Sequence, residues 1–169
     1  MTASVTEPDG LFALIGPGGT GKSHVVLNCR SLAEHFFGSP TAVRSCAVSN
    51  TAARLIGGNT VHALFKLPSV DSRRQLSTTA IAQLRDVWTD TYCVAWDEIS
   101  MAASVQVDSV HKRAEVAKCN TSQPFGDLAM LVSSDFLQLP PVESDVRHSL
   151  ADIPTEAADE KKLGWEARK

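Results

Sequence analysis

Four glycines, a lysine and a serine stand together near the beginning of the chain, in the stretch GPGGTGKS at 16–23. The stretch matches the pattern G-x-x-x-x-G-K-[ST] in full. Glycines let the backbone wrap around phosphate groups so that its N–H groups point inward. Lys22 is then placed to reach the β- and γ-phosphates, and the Ser23 hydroxyl is placed to bind Mg²⁺. The motif predicts binding of a nucleoside triphosphate, ATP with magnesium, through Gly16, Pro17, Gly18, Gly19, Thr20, Gly21, Lys22 and Ser23.

A pair of carboxylates, Asp97-Glu98, directly follows the apolar run YCVAW. Ligands of open α/β sheets bind beyond the carboxyl ends of the strands, which is where such a pair would lie. Asp97 is suited to hold the magnesium, directly or through water, and Glu98 to orient and deprotonate an attacking water. The alternative is an acidic turn that caps the next helix, and it would be preferred for the pair alone. The phosphate loop favours the magnesium site, because that loop needs a magnesium carboxylate.

A third polar cluster, SDFLQLPPV at 134–142, follows the apolar run LAMLV. Asp135 and Gln138 stand after a predicted strand, where they could face the γ-phosphate. The proline pair stiffens the chain beyond them. This cluster adds Asp135 and Gln138 as candidate nucleotide-binding residues.

The elements that must position these groups alternate between strands and helices. Short apolar runs predict strands at 11–15, 42–48, 92–96 and 128–132, those at 11–15 and 92–96 being buried. Apolar residues three or four apart predict helices at 22–37, 51–56, 79–88 and 105–119. A strand before GPGGTGKS and a helix after it argue against a glycine-rich turn that matches by chance. The alternation predicts an α/β fold, a parallel sheet covered by helices on both faces.

The composition of the 169-residue chain indicates one globular domain. The net charge of −3 and the pI of 5.9 give no global attraction for nucleic acid, so any such contact must come from a local surface. No apolar stretch approaches the roughly 20 residues that span a bilayer, and we expect no membrane association. The four cysteines are widely spaced, which predicts reduced thiols in an intracellular protein rather than a zinc site or disulfides.

Four motifs in this order, GPGGTGKS, WDEISM, PFGD and SDFLQLPPV, resemble the first motor domain of the petite-integration-frequency ("Pif") 5′-to-3′ DNA helicases. The helicases of rolling-circle Helitron transposons belong to the same group. The family shows IDEISM, PFGG and GDFxQLPPV, and AVSNTAA at 47–53 is similar to its A-x-T-G-x-A-A stretch. The resemblance implies a RecA-like P-loop NTPase domain over 11–142. Residues 1–10 are then expected to be a flexible N-terminus, and 143–169 a polar C-terminal extension.

The resemblance also implies a role for each matching residue. Lys22, Asp97, Glu98 and Gln138 would be catalytic, with Gln138 sensing the γ-phosphate. Ser23 and Asp97 would hold the metal. Single-stranded DNA would be contacted by Thr51, Thr60 and His62.

The residues themselves leave the DNA contacts open. His62 alone is more typical of a loop histidine, and Thr60 could be a strand or cap residue. Four basic residues could form a patch that follows the phosphates of DNA, or they could simply be a solvated surface. They are Arg54, Lys66, Arg73 and Arg74.

The chain departs from the family pattern at several positions. Ser49 and Asn50 stand where the family has threonine and glycine, and Asn50 would tolerate a positive φ. Asp127 and Ser134 replace glycines, which predicts strain wherever φ must be positive. The first glutamine of the chain is Gln75, so the glutamine with which the family reads adenine, upstream of the phosphate loop, has no counterpart.

The function that follows is an ATP-dependent, Pif-type 5′-to-3′ DNA helicase, represented by its first motor domain. This domain would bind and hydrolyse Mg-ATP and contact single-stranded DNA, and we expect a nuclear or mitochondrial location in a eukaryote. A second motor domain, expected to be absent from this chain, would supply the arginines that stabilise the transition state. The alternative is a truncated, non-catalytic remnant that binds nucleotide or DNA. A small-molecule phosphotransferase would leave DEIS and SDFLQLPPV unexplained.

Overall fold

The computed structural model describes residues 10–67 and 76–135. Several predictions lie outside these residues: most of the flexible N-terminus, the two arginines at 73 and 74, the candidate Gln138 and the extension 143–169.

Five parallel strands form one sheet in the order β1-β5-β4-β2-β3. The strands are β1 (Leu11–Ile15), β2 (Val43–Ala47), β3 (Asn59–Thr60), β4 (Cys93–Asp97) and β5 (Ala129–Ser134). The four predicted strands are confirmed. β3 was not predicted, because its two residues are both polar and show no apolar pattern. Since every pair is parallel, all carboxyl ends lie along one edge of the sheet.

Helices cover both faces of this sheet, as predicted. They are α1 (Lys22–Phe37), α2 (Asn50–Leu55), α3 (Val61–Leu64), α4 (Thr78–Trp88) and α5 (Ser104–Lys118), with 3₁₀ turns at Ile99–Met101 and Pro124–Asp127. α1 packs on one face through Val26 and Ala33, whereas α3, α4 and α5 pack on the other face around Trp96. Within the described ranges, no helix is long and apolar enough to cross a membrane.

β1 lies at the edge of the described sheet, and the prediction that it is buried is wrong. Leu11, Phe12 and Ile15 are 56%, 48% and 69% exposed. β1 pairs with β5 on one side, and no described strand pairs with its other side. The apolar run LFALI is typical of a buried strand, but composition alone does not tell which strands flank it.

Candidate functional site

The phosphate loop connects β1 to α1. It begins where the Gly16 N–H donates to the Ser134 carbonyl at 3.2 Å, which extends the pairing of β1 with β5. Gly19 and Gly21 have φ values of 76° and 89°, a conformation that a side chain would strain. The Thr20 hydroxyl donates to the Pro17 carbonyl at 2.8 Å and closes the loop on itself.

The first turn of α1 keeps its N–H groups free of any side-chain cap. α2, α3 and α4 each begin with a serine or threonine whose hydroxyl accepts a hydrogen bond from the backbone. α1 begins instead after Gly21, which offers no such acceptor, and its first turn carries no acidic residue. Free N–H groups and the positive end of the helix dipole suit this turn to a phosphate group.

Lys22 is held by the loop itself. Its Nζ donates to the carbonyls of Gly16 at 2.6 Å and Pro17 at 2.9 Å. Phosphate oxygens must therefore compete with two carbonyls for the ammonium, and as charged acceptors they form the stronger bonds.

Asp97 ends β4 with its two carboxylate oxygens in different environments. Oδ1 accepts from the Ser133 hydroxyl at 2.5 Å and from the Glu98 N–H at 3.0 Å. Oδ2 accepts from the Ser23 hydroxyl at 3.3 Å. The predicted metal pair is thus brought together, and Asp97 is held from behind by a completely buried serine.

Ser133 is a site residue that sequence reasoning missed. It follows Val132, which pairs with Trp96 in the register of β4 and β5, so it lies opposite Asp97. The only available signal was a polar residue at the end of a predicted strand, and using it required the strand order.

Glu98 follows with a left-handed backbone, φ 56° and ψ 41°. Its Oε2 accepts from the Ser49 hydroxyl at 3.4 Å. Burial raises the pKa of the Glu98 carboxyl, the negative charge of Asp97 raises it further, and the bond from Ser49 opposes both effects. The left-handed turn separates the two carboxylates, so that each has its own serine partner.

The turn after Glu98 is tied to the end of β5. The Ser100 N–H donates to the Ser134 hydroxyl at 3.2 Å, and the Ser100 hydroxyl donates to the Asp135 carbonyl at 3.4 Å. The condition for strain at Ser134, a positive φ, is not met, because this residue is extended within β5. Its hydroxyl makes a bond that a glycine could not make.

These groups border one cleft of about 350 Å³ at the carboxyl edge of the sheet. Predicted residues that line it are Gly18, Gly19, Gly21, Lys22, Ser23, Asp97, Glu98 and Asp135. Gly16, Pro17 and Thr20 shape the loop without lining the cleft, and His24, Ser100, Met101 and Ser134 line it without having been predicted. Gln138 lies outside the described residues.

The proposed DNA-facing residues lie on α2, β3 and α3, which follow one another directly. Thr51 is exposed on α2. The Thr60 hydroxyl accepts from the Ala63 N–H at 3.2 Å, so Thr60 is the helix cap that the sequence left open. His62 is half-buried, with Nδ1 3.3 Å from Nε2 of Gln106 on α5. Asn50 is the first residue of α2, so no positive φ is needed there.

The other glycine replacement, Asp127, does require a positive φ, of 70°. It lies in the left-handed turn of PFGD, where a side chain on Gly126 would come within 2.7 Å of the Ala114 carbonyl oxygen. This turn precedes β5, at the end of the sheet opposite the cleft. Asp127 therefore lies away from the cleft.

Comparison with known proteins gives concordant matches. The family described as PIF1-like helicase matches residues 1–166. The ATP-dependent DNA helicases PIF1 of Rattus norvegicus and Homo sapiens are 35% and 36% identical over 140 and 134 residues, which is 79% and 75% of this chain. The chain spans only about a fifth of the length of these relatives, 20% and 19%.

Solved structures agree with this assignment. Pif1 helicase from Candida albicans matches with a TM-score of 0.66 and 27% identity, over 79% of this chain and 31% of that one. Bacteroides Pif1 bound to single-stranded DNA matches with a TM-score of 0.60 and 25% identity, over 78% and 30%. The fold predicted from the sequence, a RecA-like parallel sheet with helices on both faces, is confirmed. Because the family match runs through almost the whole chain and the solved relatives share its sheet, this protein belongs to the PIF1-like helicase family.

Proposed function

We propose that this chain is the first motor domain of an ATP-dependent 5′-to-3′ DNA helicase, which binds and hydrolyses Mg-ATP and contacts single-stranded DNA. The observation that carries the proposal is the convergence of Lys22, Ser23, Asp97 and Glu98 on one cleft. Bacteroides Pif1, a relative of the same fold, has been solved with ADP-AlF3 and single-stranded DNA, at 25% identity over 83% of this chain and 32% of that one.

The residues of the cleft fit a magnesium ion. Ser23 and Asp97 would hold it, since Oδ2 of Asp97 already faces the Ser23 hydroxyl and both supply the oxygen atoms that Mg²⁺ prefers. When bound, the ion supplies positive charge that neutralises the phosphates. The raised pKa of Glu98 makes its carboxylate a stronger base than an ordinary glutamate toward an attacking water.

Asp135 and Gln138 complete the proposed nucleotide site. Asp135 lines the cleft and is only 8% exposed. Gln138 follows it by three residues, and we assign it to sensing the γ-phosphate on the family resemblance.

The α2–β3–α3 segment is the proposed surface for single-stranded DNA. Thr51 is exposed and available for direct contact, and the exposed Arg54 and Lys66 add positive charge beside it. Thr60 contributes by capping α3 and thereby fixing His62. The protein's overall charge of −3 makes such a local basic surface necessary.

Turnover by this chain alone is expected to be slow. Arginines supplied by a second motor domain are proposed to stabilise the transition state, and such arginines are worth roughly 10³ to 10⁵ in rate in related enzymes. Unwinding requires two domains that open and close around ATP, so we assign it to the two-domain arrangement and assign nucleotide binding and basal hydrolysis to this chain.

Phosphate release with and without oligodeoxythymidylate tests the proposal. Wild-type protein should hydrolyse ATP slowly, and Lys22→Ala should abolish turnover and weaken nucleotide binding. Lys112→Ala is the matched control, because Lys112 is an exposed lysine on α5 that pairs with Asp108 and does not line the cleft. ATP that binds in calorimetry yet persists unhydrolysed would instead identify a non-catalytic remnant. No binding of ATP by the wild type would refute the proposed function and any nucleotide-binding remnant.

A further inference from the structure

Ser49 lies between the proposed catalytic base and the helix that begins the proposed DNA surface. It follows β2, the strand that neighbours β4, and so it stands beside Glu98. It is also the residue that caps α2. Glu98 belongs to the proposed hydrolysis and α2 to the proposed DNA surface, and the single hydroxyl of Ser49 contacts both.

The hydroxyl of Ser49 makes one bond in each direction. It donates to Oε2 of Glu98 at 3.4 Å and accepts from the Ala52 N–H at 3.1 Å. A hydroxyl has one proton and two lone pairs, so both bonds can exist together. Because the bond to the helix turn uses a lone pair, the proton is left for the carboxylate.

Among the described residues, Glu98 has little else to fix its side chain. Its backbone is left-handed, and its N–H is used by Asp97. The Ser49 bond is the hydrogen bond that the structure shows for its carboxylate. A carboxylate that must orient a water needs its position fixed to a fraction of an ångström.

We infer that Ser49 is a positioning residue for Glu98, which holds the carboxylate in place for water activation and connects it to the first turn of α2. The inference rests on the proposed function, since it concerns the base of that reaction. A shift of α2 by about an ångström lengthens the contact beyond hydrogen-bonding distance. The exposed Thr51 lies in the same turn, so a ligand on α2 acts on the base through Ser49.

Four variants separate this role from helix capping. Ser49→Ala removes both bonds. Ser49→Asp keeps a good cap but cannot donate to Glu98, and it adds a like charge. Ser49→Thr, the family residue, keeps both bonds. Ser77→Ala is the matched control, because Ser77 caps α4 through the Ala80 N–H at 3.3 Å and does not line the cleft.

Steady-state ATP hydrolysis by the full chain is the first measurement. We expect kcat to fall about three- to tenfold in Ser49→Ala and at least as much in Ser49→Asp, with KM for ATP within about twofold of wild type. Ser49→Thr should retain at least about half of kcat, and Ser77→Ala all of it. Full activity in Ser49→Asp would overturn the inference, because capping would then be the whole role of Ser49.

A double-mutant cycle measures the contact without any turnover. The urea-unfolding constants of wild type, Ser49→Ala, Glu98→Ala and the double variant should depart from additivity by at least about twofold. Additive changes would overturn the inference even if the protein hydrolyses ATP. If the cycle shows coupling but the wild type binds ATP without hydrolysing it, the proposed function is refuted instead. Ser49 would then be a structural residue only.

Discussion

Replacement of Ser133 by alanine tests whether the metal site depends on the groups behind Asp97. The Ser133 hydroxyl is completely buried and donates to Oδ1 of Asp97 at 2.5 Å. The other oxygen, Oδ2, faces Ser23 and the proposed magnesium. Ser133→Ala therefore leaves every proposed metal ligand in place and removes only the group that orients one of them.

The expected loss of metal affinity in Ser133→Ala depends on the hydrogen bonds that Asp97 keeps. A hydrogen bond to a charged group is worth about 1.5–3 kcal/mol, and groups behind a metal ligand typically change metal affinity 10- to 100-fold. The Glu98 N–H still donates to Oδ1 at 3.0 Å in the variant, so the carboxylate keeps one of its two anchors. We expect the lower end of the range, about a tenfold weaker metal affinity.

Binding of Mn²⁺ in the presence of ADP, followed by electron paramagnetic resonance, measures this affinity without requiring hydrolysis. Asp97→Ala should abolish the bound signal. Ser109→Ala is the matched control, because Ser109 is also a buried serine but donates to the Val105 carbonyl within α5. Curves for wild type and Ser133→Ala that coincide within twofold would refute the reasoning, since Asp97 would then need no support from β5.

Two further predictions concern packing and thiol chemistry. Gly58→Ala should destabilise the fold by at least about 3 kcal/mol in urea unfolding, because the new Cβ would lie 2.6 Å and 2.8 Å from the carbonyl carbon and Cβ of Ser45. Gly38→Ala, with φ +65° and no atom within 4 Å, should cost only about 1–2 kcal/mol, and equal losses would contradict this steric argument. At pH 8, iodoacetamide should modify two exposed cysteines quickly, while Cys93, whose pKa burial raises to about 11, reacts slowly and speeds up as the pH rises toward that value. Mass spectrometry should count two labels before unfolding and four in urea. Labelling of Cys93 at pH 8 as fast as that of the two exposed cysteines would show that burial does not protect it.

The sequence predicted four of the five described α-helices and four of the five described strands to within about two residues, because their apolar spacing is regular. It also predicted eight of the residues that border the cleft, since strand ends in a parallel sheet share one edge. It was wrong about β1, whose apolar run is exposed at the edge of the described sheet. It missed β3 and α3, since elements of two and four residues are too short to show a period.

The serines that support the two carboxylates could not be found from the sequence, because their importance depends on strand order. β5 is the last of the described strands in the chain, yet it lies between β1 and β4, and β2 lies on the other side of β4. That order places Ser133 beside Asp97 and Ser49 beside Glu98, so two adjacent acidic residues are held from opposite neighbouring strands. The left-handed turn at Glu98 is what allows this division. A movement of β5 against β4 would therefore act on the metal ligand, whereas a movement of α2 would act on the base. The proposed metal ligand and the proposed base therefore each have a serine support from a different neighbouring strand, although the Glu98 N–H still links the two through Oδ1 of Asp97.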